Sequence, residues 1–384
     1  MDRRHFIKFS ASLSLAGVPS WANSAQRINP NRLLVIMLRG GMDGLAAVPP
    51  VGDADLQTLR ADLIPSGLLK GDQFFGIHPA LPTFAEALAA SQAIAVHATG
   101  FQYTGRSHFE GQDIMQSGVM KPYASASGWL GRAMQAAQSN GGVALSIPMP
   151  LLLRGDSTSE TSYPSWMQAP PMATYELVAQ LWNKTPELKP YASRLLQAET
   201  KRLNSDGTPE PNQQRRTAFS LAKEASEKMQ APSGPVVGVL DLHGFDTHAG
   251  QGAADGLHAT KLKQIDDAIK GYRAGIGAKW AQSLIITMTE FGRTAGVNGN
   301  LGTDHGWGSC VLAAGGLVNT TGIITHWPGL KKSQLFEGRD LKVTVDVMAI
   351  YADAVQSVFG LPPELIYKDV FSYAKDSFTS RLFA

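Results

Sequence analysis

Four stretches of this chain are apolar over strand length with no alternation, and each runs into glycine, carboxylate or imidazole. Leu33–Leu38 leads into Arg39-Gly40-Gly41-Met42-Asp43-Gly44, and Ala93–Val96 ends at His97. Val236–Leu240 leads into Asp241–His248, and Ser283–Met288 into Thr289-Glu290-Phe291-Gly292-Arg293. A strand that does not alternate is buried on both faces, which is the mark of parallel strands covered by helices on each side. The predicted class is therefore α/β, a largely parallel central sheet flanked by helices on both faces. In such sheets the carboxyl ends of the strands share one rim, and ligands bind there.

The intervening segments fit this plan. Phe74–His78 reads as a strand leading into a helical pattern from Leu81 to Ala90, so that strand, helix and the run at Ala93 predict a right-handed parallel crossover. Val143–Ile147 and Leu151–Leu153 read as strands broken by Pro148 and Pro150. Leu262, Ile265, Ile269 and Tyr272 recur at helical steps, Cys310–Ala314 is a further apolar run, and a last helix spans Val345–Phe359. Ser107 with Glu110 three residues later is a capping box, which would place Ser107 at the positive end of a helix dipole. Between 172 and 229 the chain becomes rich in Ala, Gln, Glu and Lys, read as a mostly helical insertion over a cleft or a helical layer on the sheet.

Residues 1–22 are set apart from the fold. Arg3-Arg4-His5-Phe6-Ile7-Lys8, a short apolar stretch and Ser20-Trp21-Ala22 resemble a twin-arginine signal peptide, which implies passage through the twin-arginine export machinery to a periplasmic or secreted location. The apolar part is too short and polar for a stable membrane anchor, since a span needs roughly 20 apolar residues. Residues 23–384 are then one domain. The net charge of +2 resides in that signal, so the remainder has no basic excess and no nucleic-acid partner is expected. One cysteine, Cys310, excludes an internal disulfide.

On the predicted rim the sheet gathers Asp43, Asp246, His248, Glu290, Asp304 and His305. A mixed Asp, Glu and His set suits a divalent metal such as zinc or manganese better than calcium, which takes oxygen alone. Hydrogen-bonded polar turns would use the same residue types. Asp241 and His243, beside these, bond to nearby backbone on the plainer reading.

Five motifs carry a resemblance. Arg39–Gly44, Arg106-Ser107-His108-Phe109 with Gln112-Asp113, Phe245–His248 with Gln251, Thr289–Thr294 and Gly302–Gly306 resemble the domain of unknown function family 1501. That family looks like a divergent branch of the alkaline phosphatase and sulfatase superfamily. The resemblance implies Asp43 as a first-strand metal aspartate, His305 as a late metal histidine, and Asp246 with His248 as a ligand pair. Glu290 and Phe291 fall where the superfamily generally has Asp and His. It further implies an oxygen nucleophile at Thr104 or Ser107, His108 as catalytic group or ligand, and Arg293 clamping the oxygens of a transferring anion. The implied function is an exported metal-dependent hydrolase of phosphate or sulfate esters, acting on a small anionic ester or a sulfated or phosphorylated glycan. A non-catalytic metal- or ligand-binding protein on the same fold is the alternative.

Overall fold

The structure is a computed structural model that describes residues 31–371 and 381–384, apart from 147, 157, 163–171, 187, 190–191, 193–194 and 197–216. The predicted signal segment and part of the predicted insertion lie outside the described residues.

A nine-stranded sheet is built on β1 (Arg32–Arg39). Its other strands are β4 (Ala93–Gly100), β5 (Gly142–Ala144), β6 (Glu160–Thr161), β7 (Val237–His243), β8 (Ser283–Thr289), β9 (Ser309–Ala314), β10 (Gly322–Ile324) and β11 (Val345–Asp346). The order is β10-β4-β9-β8-β1-β7-β5-β6, with β11 on β4. A separate hairpin pairs β2 (Leu69–Lys70) with β3 (Gly76–Ile77). β1 is parallel to β7 on one side and to β8 on the other, Arg39 opposite His243 and Leu38 opposite Thr289. The ends of these three strands therefore lie on one rim.

Side-chain alternation along β1 explains its unbroken apolar run. Leu33, Val35 and Met37 belong to one core, Leu34, Ile36 and Leu38 to the other. On the first face pack α2 (His108–Ser117), α3 (Trp129–Ala137) and α7 (Val347–Phe359), through Ile114, Trp129, Met348 and Tyr351. On the second pack α1 (Pro82–Ala89), α5 (Ala218–Gln230) and α6 (Leu257–Ile276), through Phe84, Met229, Leu262 and Ile265. The predicted fold class holds.

Several expectations change in detail. β9 runs antiparallel to both β4 and β8, so the sheet is mixed. The strand expected at Phe74–His78 is only Gly76–Ile77 and pairs outside the main sheet, so it makes no crossover to β4. Leu151–Leu153 form a 3-10 turn, because Pro150 supplies no N–H for a ladder, and β5 stops at Ala144. The capping box is not formed. Ser107 is the N-cap of α2 without a side-chain cap bond, and the Glu110 carboxylate accepts from the Tyr103 hydroxyl at 2.6 Å instead. In the 172–229 segment, α4 (Met172–Asn183) is helical, and α5 packs against α6 and β7 as part of the helical layer.

Candidate metal centre

Three loops meet at the rim formed by the ends of β1, β7 and β8. The first enters α2 and carries His108, the second follows β7 with Asp246 and His248, and the third precedes β9 with Asp304 and His305. Gly40 lets them meet. At φ +121°, a methyl group there would lie 2.4 Å from the Asp246 amide nitrogen and 2.9 Å from the Phe245 backbone. Gly40 also donates its N–H to Glu290 Oε1 at 2.9 Å and offers its carbonyl to Arg293 at 3.2 Å.

At the meeting point the His108, Asp246 and His305 donor atoms all lie within 4.8 Å of one another. His108 Nε2 is 3.3 Å from Asp246 Oδ2, and His305 Nε2 is 3.1 Å from Asp246 Oδ1. His248 joins from the open side, its Nε2 at 3.0 Å from both Asp246 Oδ1 and His305 Nε2. Three imidazoles thus direct the same ring nitrogen at one carboxylate.

The other nitrogen of each ring faces an oxygen acceptor. His108 Nδ1 is 2.8 Å from Glu290 Oε1, His248 Nδ1 is 3.0 Å from Asp304 Oδ1, and His305 Nδ1 is 2.9 Å from the Arg106 carbonyl. With Nδ1–H committed to those acceptors, each neutral ring turns an Nε2 lone pair toward the carboxylate. Lone pairs facing one another at about 3 Å repel unless a cation lies between them. Metal-bound histidines are held in this way, with the far N–H on a carboxylate or carbonyl that fixes tautomer and ring orientation. The donor set, three imidazoles and one carboxylate, fits zinc, manganese or iron.

Charge at the centre is asymmetric. The hydrogen bond that His108 donates to the Glu290 carboxylate raises the His108 pKa against the opposing effect of burial, whereas burial lowers that of His305. Burial would raise Asp246, but the Arg293 hydrogen bond and charge outweigh it and hold the carboxyl below its ordinary range. The same contest, won by hydrogen bonds from His108, Gln112 and Gly40, lowers Glu290. A bond from His248 lowers Asp304.

The expected residues therefore separate. Asp246, His248 and His305 converge, and His108 joins them as a donor. Glu290 and Asp304 stand one layer out, each holding a histidine. Asp43 is elsewhere: its side chain is 1% exposed, its oxygens accept from Arg60, Gln251 and the Ala46 amide, and it caps a short helix at Gly44–Ala47. It is not part of the cluster. Arg293 differs from expectation too. Its side chain has no exposed surface, and its guanidinium donates to Asp246 Oδ1 at 2.6 Å, to Gly40 O and to Thr303, so it grips Asp246 and cannot reach a substrate oxygen. Ser107 is half-buried directly before His108, and Thr104 is exposed on the same loop.

Sequence reading did not assign roles to Arg60, Gln112 or Gln251. Gln112 lies one helical turn after His108 and donates to Glu290 Oε1 at 3.0 Å while accepting from Arg39. That i, i+4 spacing was the available signal, because residues four apart share a helix face. Nothing comparable marks Arg60.

A rim of imidazoles around a carboxylate, at the ends of parallel strands, defines a candidate metal-binding α/β protein. The chain belongs to the family described as Protein of unknown function (DUF1501), whose model matches residues 30–368. No curated protein matches it. Among solved structures it is similar to a phosphonate monoester hydrolase from Silicibacter pomeroyi, with 10% identity, 91% of this chain and 78% of that chain covered, and a TM-score of 0.43. A sulfatase from Pseudoalteromonas sp. is 13% identical, with 90% and 72% covered and a TM-score of 0.40. A protein in the alkaline phosphatase superfamily from Vibrio parahaemolyticus is 12% identical, with 74% and 60% covered and a TM-score of 0.36.

Proposed function

We propose that this chain is an exported, metal-dependent hydrolase of phosphate or sulfate esters. The observation that carries the reading is the convergence of His108, His248 and His305 Nε2 on Asp246, with every Nδ1 held from behind. A divalent cation there, zinc or manganese by donor type, would acidify an oxygen nucleophile and neutralise charge on the transferring group. The chain's own contribution is orientation. Glu290, Asp304 and the Arg106 carbonyl fix the rings, and Arg293 fixes the carboxylate.

A groove of about 820 Å³ opens beside His108 and Asp246, walled by Phe109, Tyr123, Met149 and Arg154. Its volume lies within the roughly 300–1,000 Å³ of small-molecule sites. It suits the alcohol portion of a small anionic ester or of a sulfated or phosphorylated glycan. Ser107, at the mouth of α2, is the first candidate nucleophile and Thr104 the second. The paired arginines at positions 3 and 4 support export after folding, with residues 23–384 forming one domain. No helix among the described residues is long and apolar enough to cross a membrane.

Elemental analysis of the purified protein, with hydrolysis of aryl phosphate and aryl sulfate by wild type and His248→Ala, tests this reading. Stoichiometric metal and turnover that both fall in the variant are expected. Metal-free protein without turnover rejects it, and metal without turnover on any ester leaves a non-catalytic metal-binding protein.

A further inference from the structure

Behind the centre a single amide joins the two loops that carry three of its four side chains. We propose that Gln251 is a positioning residue for the metal, setting the spacing of Asp246, His248 and His305 by clamping their loops together. The inference rests on the metal-centre reading above.

Gln251 is fully buried, and its amide has only one workable orientation. The Asp43 carboxylate can only accept, so the amide nitrogen must face it, at 2.7 Å from Oδ2. Oε1 then points the other way and accepts two hydroxyl protons, from Thr247 at 2.8 Å and from Thr303 at 2.7 Å. Thr303 Oγ1, having donated, accepts from Arg293 Nε at 3.1 Å, and Arg293 passes the constraint to Asp246. Thr247 lies between Asp246 and His248, and Thr303 lies two residues before His305. One oxygen therefore holds both ligand-bearing loops.

Backbone pairing supports the same register. The Thr303 N–H donates to the Thr247 carbonyl at 3.1 Å, and the Gln251 N–H to the Leu301 carbonyl at 2.9 Å. At Gly302 a methyl group would lie 2.5 Å from the His248 carbonyl oxygen, so the loops are already in contact. The two hydroxyls on one oxygen add a side-chain tie to that backbone pairing, at the residues next to the ligands themselves. The result is a separation of 3.0 Å between His248 Nε2 and His305 Nε2. Two ligands of a tetrahedral zinc with Zn–N of roughly 2.0–2.1 Å stand about 3.3 Å apart, so the clamped spacing needs little adjustment.

The test compares Thr303→Val, Thr303→Ser and Gln251→Met with wild type, and includes Thr287→Val as a control. Thr287 is a buried hydroxyl bonded to Leu312 away from the centre. Zinc affinity is read by competition with a chelator, and backbone hydrogen exchange of 246–251 and 301–306 is read without metal. Thr303→Val and Gln251→Met are expected to lose roughly 10–100-fold in zinc affinity, the usual effect of removing support behind a ligand. Thr303→Ser should restore it, and Thr287→Val should lower the melting midpoint with zinc affinity unchanged. In Thr303→Val, exchange should accelerate in both segments together. The clamp is overturned if folded Thr303→Val binds zinc as wild type does, or if only 301–306 exchanges faster. If wild type takes up neither zinc nor manganese, the proposed function fails, while the exchange measurement alone still decides the clamp.

Discussion

The two sides of the centre are built differently. Behind it, Arg60, Asp43, Gln251, Glu290 and Arg293 have at most 1% of their surface exposed. Arg60 pairs with Asp43 and Arg293 with Asp246, Gln251 donates to Asp43, and Glu290 accepts from Gly40, His108 and Gln112. In front, the side chains of His248, Asp246 and Asp304 are 45%, 40% and 53% exposed. Buried charge pairs hold geometry because breaking one is costly, whereas an exposed pair is screened and contributes little. The rear thus sets positions, and the front stays open to exchange with solvent and ligand.

The contrast breaks most severely at Arg60. Arg60→Met leaves Asp43 buried without its cation and should cost about 3–5 kcal/mol in urea unfolding. A loss below about 1 kcal/mol would show that the rear does not carry the load assigned to it.

Acid should attack the same side. Burial lowers His97 and His258 to about 4, and both stay neutral in the folded protein at pH 5. Between about 6.5 and 4 the unfolded chain binds protons that the native state refuses, so stability rises with pH there and is lost as pH falls through that window. At roughly 1.4 kcal/mol per pH unit each, the two imidazoles together remove several kcal/mol by pH 4. Denaturant midpoints from pH 7 to pH 4 check this. For His97→Gln the acid slope should be shallower.

Next come the two carboxylates that hold histidines, one from each side. Glu290→Gln, in the dry interior, should weaken zinc binding toward the upper end of the 10–100-fold range expected on removal of such support, about 100-fold. Asp304→Asn, at the open face, should cost about 10-fold. Equal losses in chelator competition would mean that burial does not set how firmly the rings are held. The smallest effect belongs to Ser107. Because its hydroxyl makes no cap bond, Ser107→Ala should change stability by less than about 0.5 kcal/mol. Under the proposed function it should nonetheless reduce ester hydrolysis. Unchanged turnover would move the nucleophile to Thr104 or to solvent.

Much of the frame could be read from residue pattern. β1, β7 and β8 have both faces buried, which leaves an uninterrupted apolar run, and α6 buries Leu262, Ile265, Ile269 and Tyr272 at the steps their spacing predicted. The direction of β9 could not, since a strand buried on both faces has the same composition whichever way it runs. Nor could the division of labour at the centre. Asp246 and His248, or Asp304 and His305, are near neighbours in loops without a fixed period, so spacing does not say which side chain faces inward. Asp43 follows the end of β1 in sequence, yet it turns away from the cluster toward Arg60, which arrives from a separate short helix with no periodic signal. The capping box failed for a similar reason. Tyr103 competes for Glu110, and a pattern three residues long does not register a hydroxyl from the preceding loop.

Gly40 carries an implication for engineering and for reading related chains. It contributes no side chain, yet its amide, its carbonyl and its missing methyl each serve a different neighbour among Glu290, Arg293 and Asp246. A graft of the four donor residues onto another scaffold would reproduce every named ligand and still collide at this point. Anyone transplanting the centre, or screening relatives for a working copy, should therefore match the backbone at Gly40 before counting histidines.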